Sequence, residues 1–232
     1  SWRWNTTLFT FGKNCRRFNT QSMSSFFNDK TKLSIAFLVI IHSVGIAGML
    51  SPYKSYFEEL TPLNLQISFV VLMLNHKQLS QRWVVFFISI FLAGFGVEVL
   101  GVNTGFPFGE YTYGENLGFK LFNTPLMIGL NWVMLIYCSA GVVQLQLNKF
   151  IQAAIAATFM LLYDLNLEPV AIEIGLWSWD MVSIPLENYI SWFFIAYAMH
   201  YALLRFMSVP NNQIARPLFF IQMVFHLVIN FT

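Results

Sequence analysis

The chain has 232 residues, of which 56% are hydrophobic and only 10% charged, with a mean hydropathy of +0.58. A soluble domain carries about a quarter charged residues, so this composition excludes an ordinary soluble globule and marks an integral membrane protein. The net charge of +2 is too small to suggest a nucleic-acid partner, and Cys15 and Cys138 lie far apart with no pairing pattern, as free thiols.

Residues 1–32 are basic, polar and aromatic, unlike a secretory leader, which needs an apolar run after its basic start. They read as a cytoplasmic N-terminal segment whose Trp2, Trp4 and Phe9 could rest in the membrane interface. Residues 33–232 read as a transmembrane domain. Apolar runs there predict spanning helices at about 33–50, 60–74, 83–102, 122–143, 150–163, 190–206 and 217–231. Several fall short of the roughly 20 residues that cross a bilayer, the second and seventh most of all. The fold class is therefore all-α, a polytopic membrane helix bundle of about seven spans.

Lysine and arginine orient the bundle, because cytoplasmic loops hold an excess of positive charge. With the N-terminus cytoplasmic, Arg3, Lys13, Arg16, Arg17, Lys30, Lys32, Lys77, Arg82, Lys149, Arg205 and Arg216 fall inside, and only Lys54 and Lys120 outside. This predicts a cytoplasmic N-terminus and two unusual segments on the outer side of the membrane. One is TGFPFGEYTYGENLG, residues 104–118; the other runs from Asp164 to Asn188 and holds acids but no lysine or arginine.

Glu98, near the outer end of the third span, costs a few kcal/mol unless it is paired, hydrated or protonated, which makes it a functional candidate. The glycines and Pro107 of the loop after it permit tight turns, so the loop can fold over the bundle mouth and present Phe106, Phe108, Tyr111 and Tyr113 inward, with Glu110 beside them. An ordinary extracellular connection with interfacial tyrosines is the plainer alternative.

In YDLNLEPVAIEIGLWSWD, residues 163–180, a continuing fifth helix would set Asp164 and Glu168 four residues apart on one face. Pro169 disfavours helical geometry at Glu168 and predicts that the helix ends or kinks there. Asp164, Glu168 and Glu173 would then line a cavity, with Trp177 and Trp179 following; an aromatic belt with rim acids is the alternative. IPLENYISWFF, residues 184–194, brings Glu187 and Asn188 to the start of the sixth span, and Asn131 and Trp132 are amphipathic residues within the fourth. Each of these alone reads as helix-packing glue.

Four scattered histidines, His42, His76, His200 and His226, give no metal-ligand cluster, and no aspartate-rich run is present to hold a diphosphate through magnesium. GFGVEVLG has the wrong glycine spacing for a dinucleotide loop. The seventh span has no lysine for a retinal Schiff base. Carboxyls and aromatic rings at one end of an apolar bundle suit acid chemistry on an alkene: a carboxyl donates a proton, and ring faces attract the resulting tertiary cation.

Taken in order, EVLGVNTGFPFGEYTYGENLG, NTPLMIGLNWVMLIYCSA, DLNLEPVAIEIGLWSWD and IPLENYISWF resemble the carotenoid-biosynthesis integral membrane family that contains the carotenoid 1,2-hydratases. The similarity runs from about residue 87 to 194, and the motif wording is most like that of Bacteroidetes members. The resemblance implies cofactor-free, metal-free hydration of the acyclic end of γ-carotene or lycopene. It implies a carotenoid substrate held within the lipid bilayer, with other carotenoid-pathway enzymes as further partners. It also implies roles for Glu98, Glu110, Tyr111, Tyr113, Asp164, Glu168, Trp177, Trp179 and Asn188. Many relatives have aspartate where this chain has Glu168.

On this reading Asp164 or Glu98 donates the proton, Glu168 with Glu110 orients the water, and Tyr111, Tyr113, Trp177 and Trp179 stabilise the cation. Two other functions stay open. PLEN resembles the acidic motif of small membrane lycopene cyclases, although Asn188 replaces its second acid. A non-catalytic carotenoid-binding protein would use the same cleft and tolerate loss of the acids.

Overall fold

The computed structural model describes residues 29–145, 147–181 and 183–232. The expectations for residues 1–28, including Cys15, lie outside the described residues. Eight helices form among the described residues: α1 (Lys30–Met49), α2 (Lys54–Glu59), α3 (Thr61–Leu74), α4 (Gln81–Thr104), α5 (Leu126–Val142), α6 (Lys149–Glu173), α7 (Leu186–Phe206) and α8 (Ala215–Asn230). All but α2 correspond to the apolar runs. The protein is an all-α polytopic membrane bundle. By length and composition alone α1, α4 and α6 can cross a bilayer, and α3, α5 and α8 are shorter apolar helices.

Local capping sets several ends. Asp29 accepts from the backbone N–H groups of Thr31 and Lys32 at 3.1 and 3.3 Å, so α1 starts three residues before the apolar run does. Asn148 caps α6 in the same way through Phe150 N–H at 3.0 Å. The fourth span starts later than predicted, because residues 120–125 form a tight pair of two-residue strands, β2 (Lys120–Leu121) and β3 (Thr124–Pro125).

The expected helix end at Pro169 is corrected: α6 runs through it to Glu173. Proline removes one helical hydrogen bond, but packing of α6 against α7 and α8 outweighs that loss. The helix ends instead at Gly175, with φ of 67°. Leu176 N–H reaches back to Ala171 O at 2.8 Å and Gly175 N–H to Ile172 O at 3.2 Å, a Schellman turn.

At the centre lies α5, buried at every position from Trp132 to Val142 and packed against α4, α6 and α8. Large apolar side chains such as Ile40, Val85, Leu92 and Val224 face outward, as suits lipid rather than water. At one end Lys30 donates to Leu74 O at 2.6 Å and Arg216 to Val142 O at 3.0 Å, so basic residues from two chain regions satisfy carbonyls at helix ends. At the opposite end α2 lies against α1, with the Phe57 ring occupying space that any side chain at Gly48 would fill.

An ion pair joins Lys54 of α2 to Glu173 at the end of α6, so Glu173 stands at the exposed helix end and not in the cavity expected to hold it with Asp164 and Glu168. Both side chains are substantially exposed, so Lys54→Ala is expected to cost under about 1 kcal/mol. A thermal-unfolding comparison in detergent checks this.

Two three-residue strands close the same end. β1 (Tyr111–Tyr113) pairs antiparallel with β4 (Trp177–Trp179) in the register Tyr111↔Trp179, Thr112↔Ser178, Tyr113↔Trp177. Side chains alternate along a strand, so four aromatic rings face the bundle, while Thr112 and Ser178 point outward with their hydroxyls 3.1 Å apart. Next to this ribbon Gly114 N–H bonds Leu176 O at 2.9 Å, and a Cβ at Gly114 would sit 2.0 Å from Gly175 O. Gly114→Ala should therefore unseat the ribbon, seen as faster proteolysis around residues 110–118.

Candidate active site

The bundle's bare helix faces let the aromatic groups approach the acids. Gly94 and Gly101 flank Glu98 one turn to either side on α4. A Cβ at Gly94 would lie 2.4 Å from the Trp132 ring, and one at Gly101 would lie 2.7 Å from Phe108 and 2.8 Å from the Tyr111 hydroxyl. Glycine at both positions allows these rings to close around the carboxyl between them.

Glu98 is buried and accepts three hydrogen bonds. Tyr111 and Tyr113 hydroxyls donate to Oε2 at 2.6 and 2.7 Å, and Trp132 Nε1 donates to Oε1 at 3.0 Å. Burial, reinforced by the neighbouring Glu98, pushes both phenols above the ordinary tyrosine range, so they remain protonated donors. Trp132 in turn stacks on Trp192 of α7, with ring centroids 4.4 Å apart and 15° between planes.

Glu168 is held from the opposite strand. Trp177 and Trp179 donate their indole N–H groups to Oε2 at 2.9 and 3.1 Å, and the Asn188 amide donates to Oε1 at 3.2 Å. Asn188 also reaches Asp164 Oδ2, at 3.4 Å. Asp164 and Glu168 lie one turn apart on the unbroken α6, and Asn188 of α7 bridges them. Asp164 is only 1% exposed, and its Oδ1 has no hydrogen-bond partner among the described residues. Of the three carboxyls it alone has an uncommitted oxygen. The oxygens of Glu98 and Glu168 already face N–H and O–H donors, an arrangement that competes with any cation.

These groups line a cavity of about 30 Å³, together with Phe108, Ile128, Asn131 and Leu167. Among the described residues its lining includes no lysine or arginine. Beside it lies an apolar cavity of about 280 Å³ between α1, α3, α5, α6 and α8. The two share Ile128, Asn131, Leu167 and Trp177 as wall. The larger cavity reaches Ile40, Val44 and Leu63, outward-facing residues of α1 and α3.

Eleven of the residues singled out from the sequence thus converge: Glu98, Phe108, Tyr111, Tyr113, Asn131, Trp132, Asp164, Glu168, Trp177, Trp179 and Asn188. Two stand apart. Phe106 is 70% exposed, and Glu110 points its side chain outward while its carbonyl accepts from Asp180 N–H at 3.0 Å. Sequence reasoning missed Trp192, although it follows Asn188 by one helical turn and so shares its face.

Fold and site together define a polytopic helical membrane protein with a pocket of carboxyl, phenol and indole groups beside an apolar cavity. The family model for carotenoid biosynthesis proteins matches residues 60–232, and the chain belongs to that family. Over 116 residues it is 32% identical to the bisanhydrobacterioruberin hydratase of Haloarcula japonica, a match covering 45% of this chain and 39% of that protein. The chain thus matches well under two thirds of that relative's length. No solved structure matches it.

Proposed function

We propose that the protein is a carotenoid hydratase that adds water across the terminal 1,2 double bond of an acyclic carotene end group, of the γ-carotene or lycopene type. The observation that carries this reading is the uncommitted Asp164 Oδ1, buried at a small polar cavity whose wall is shared with an apolar one. The apolar cavity accepts the end of the polyene from the bilayer between α1 and α3, which brings the terminal alkene to the shared wall.

Asp164 transfers its proton to the olefinic CH carbon, leaving a tertiary cation at the dimethyl carbon. The faces of Trp177, Trp179 and the Tyr111–Tyr113 pair stabilise that cation. Water forms the new C–O bond, and its surplus proton returns to Asp164, so the acid is regenerated and no redox partner is consumed. Glu98 and Glu168 act through the groups that they hold: Glu98 fixes both tyrosines and Trp132, and Glu168 fixes the two indoles and the Asn188 amide. Glu110, outside the cluster, takes no part in this scheme.

The basic residues at the opposite end support a cytoplasmic N-terminus and a site near the outer leaflet of the bacterial inner membrane. Residues 1–32 would then form the cytoplasmic segment and 33–232 the membrane domain, with other carotenoid-pathway enzymes as neighbours.

The test is co-expression in a lycopene- or γ-carotene-producing bacterium, with mass spectrometry of the pigments. The expected product is heavier by about 18 mass units, one water captured after protonation. A ring-closed product of unchanged mass would replace this reading with a cyclase. Bound but unaltered carotene would replace it with a binding protein.

A further inference from the structure

The small cavity contains a second oxygen with nothing to bond. Among the described residues Asn131 Oδ1, like Asp164 Oδ1, is buried and unpartnered, and both residues line the same space of about 30 Å³. Unpaired buried polar atoms are costly, each on the order of 1–3 kcal/mol, so two at one cavity call for an occupant that bonds both, donating to the Asn131 oxygen and accepting the acid proton of Asp164 until that proton is transferred. Such an occupant is small, with O–H groups to donate and a lone pair to accept. A water needs at least about 10–15 Å³ and two to four polar partners, and this cavity supplies both. Asn131 also lines the apolar cavity, so a water held by it lies at the boundary where the alkene would arrive.

We infer that Asn131 and Asp164 together hold the water that captures the cation, and that Asn131 decides whether a protonated end group leaves as an alcohol or reverts to an alkene. The inference rests on the hydratase reading above. Asn131 Oδ1 accepts one water hydrogen throughout the cycle, which turns a lone pair of the water toward the cationic carbon. Once it has given its proton to the alkene, the Asp164 carboxylate accepts the second. With that water displaced, protonation still occurs, but the only escape for the cation is loss of a proton from an adjacent carbon to the Asp164 carboxylate. That step regenerates an alkene of the original composition. Asn131 is thus a positioning residue for the nucleophile, with no part in delivering the proton.

Heavy water separates the two roles, because the acid proton of Asp164 exchanges with solvent. Membranes containing the protein and lycopene are incubated in D₂O, and the pigments are analysed by mass spectrometry. The wild-type protein is expected to give an alcohol with one carbon-bound deuterium. Asn131→Leu is expected to lose hydration by roughly 100-fold, the scale of a misplaced reactant, while the recovered lycopene gains carbon-bound deuterium.

Asn131→Ser keeps a small acceptor and is the milder variant should the leucine protein fail to accumulate. It should shift the ratio of deuterated alkene to alcohol in the same direction. Unchanged hydration in these variants overturns the proposal, and so does parallel loss of hydration and deuterium uptake. A wild-type protein that forms no alcohol and takes up no deuterium defeats the hydratase reading itself, an outcome distinct from either.

Discussion

Asp164→Asn is expected to abolish hydration while leaving the protein folded and still able to bind carotene. The asparagine is nearly isosteric, and its carbonyl can take over as acceptor for the Asn188 amide, now 3.4 Å from Oδ2, so little packing changes. What disappears is, among the described residues, the one carboxyl oxygen of the pocket with no hydrogen-bond partner. Positioned general acids contribute roughly 100- to 10,000-fold, and here no other group can supply the proton without first breaking a bond to a tyrosine, a tryptophan or Asn188. The loss should therefore approach the top of that range. The measurement is alcohol formed per mole of purified protein, alongside retention time on size exclusion and co-purified pigment. Retained activity would move the proton donor elsewhere, with Glu98 the next candidate. Loss of pigment together with activity would make Asp164 a binding residue.

The sequence made the helices readable because their residues are nearly all apolar, and the acids stood out against them. The Asp164–Glu168 pair was legible on the condition that α6 continued. Pro169 argued against that condition, yet the local stop signal lay six residues further on at Gly175, where a left-handed residue closes a Schellman turn. Proline weakens one helical bond, whereas tertiary packing acts over the whole helix face, and no local signal reports that packing.

The aromatic ribbon was hidden for a different reason. YTY and WSW each alternate ring, hydroxyl, ring, the period of a half-buried strand, but they lie 66 residues apart, with α5 and α6 in between. Local patterning cannot pair segments across that distance. Once Tyr111 is known to face inward on a strand, its neighbour Glu110 must face outward, which explains why one loop acid left the cluster while Glu98 stayed. Trp192 shows the complementary case: spacing from Asn188 put it on the right face, but only the stack on Trp132 gives it a purpose.

Glu98→Gln should behave differently from the Asp164 variant, losing stability and activity together. Both oxygens of Glu98 serve as acceptors, with three donors aimed at them. A glutamine replaces one of those oxygens by an NH₂ group, so at least one phenol or indole donor meets another donor in a buried setting. Each donor left unpaired costs about 1–3 kcal/mol. Because those donors belong to the ribbon and to α5, the damage spreads: β1 loses its anchor, and with it the β1–β4 pairing that holds Trp177 and Trp179 over Glu168. The expected signature is a lowered unfolding temperature and faster cleavage within residues 110–118, with hydration falling in proportion to the ribbon displaced. Glu98→Leu, which strands all three donors, should be worse on both measures. Were Glu98→Gln as stable as the wild-type protein and yet inactive, Glu98 would be acting directly on the substrate, and the division of labour between an anchoring carboxyl and a proton-bearing one would have to be reversed.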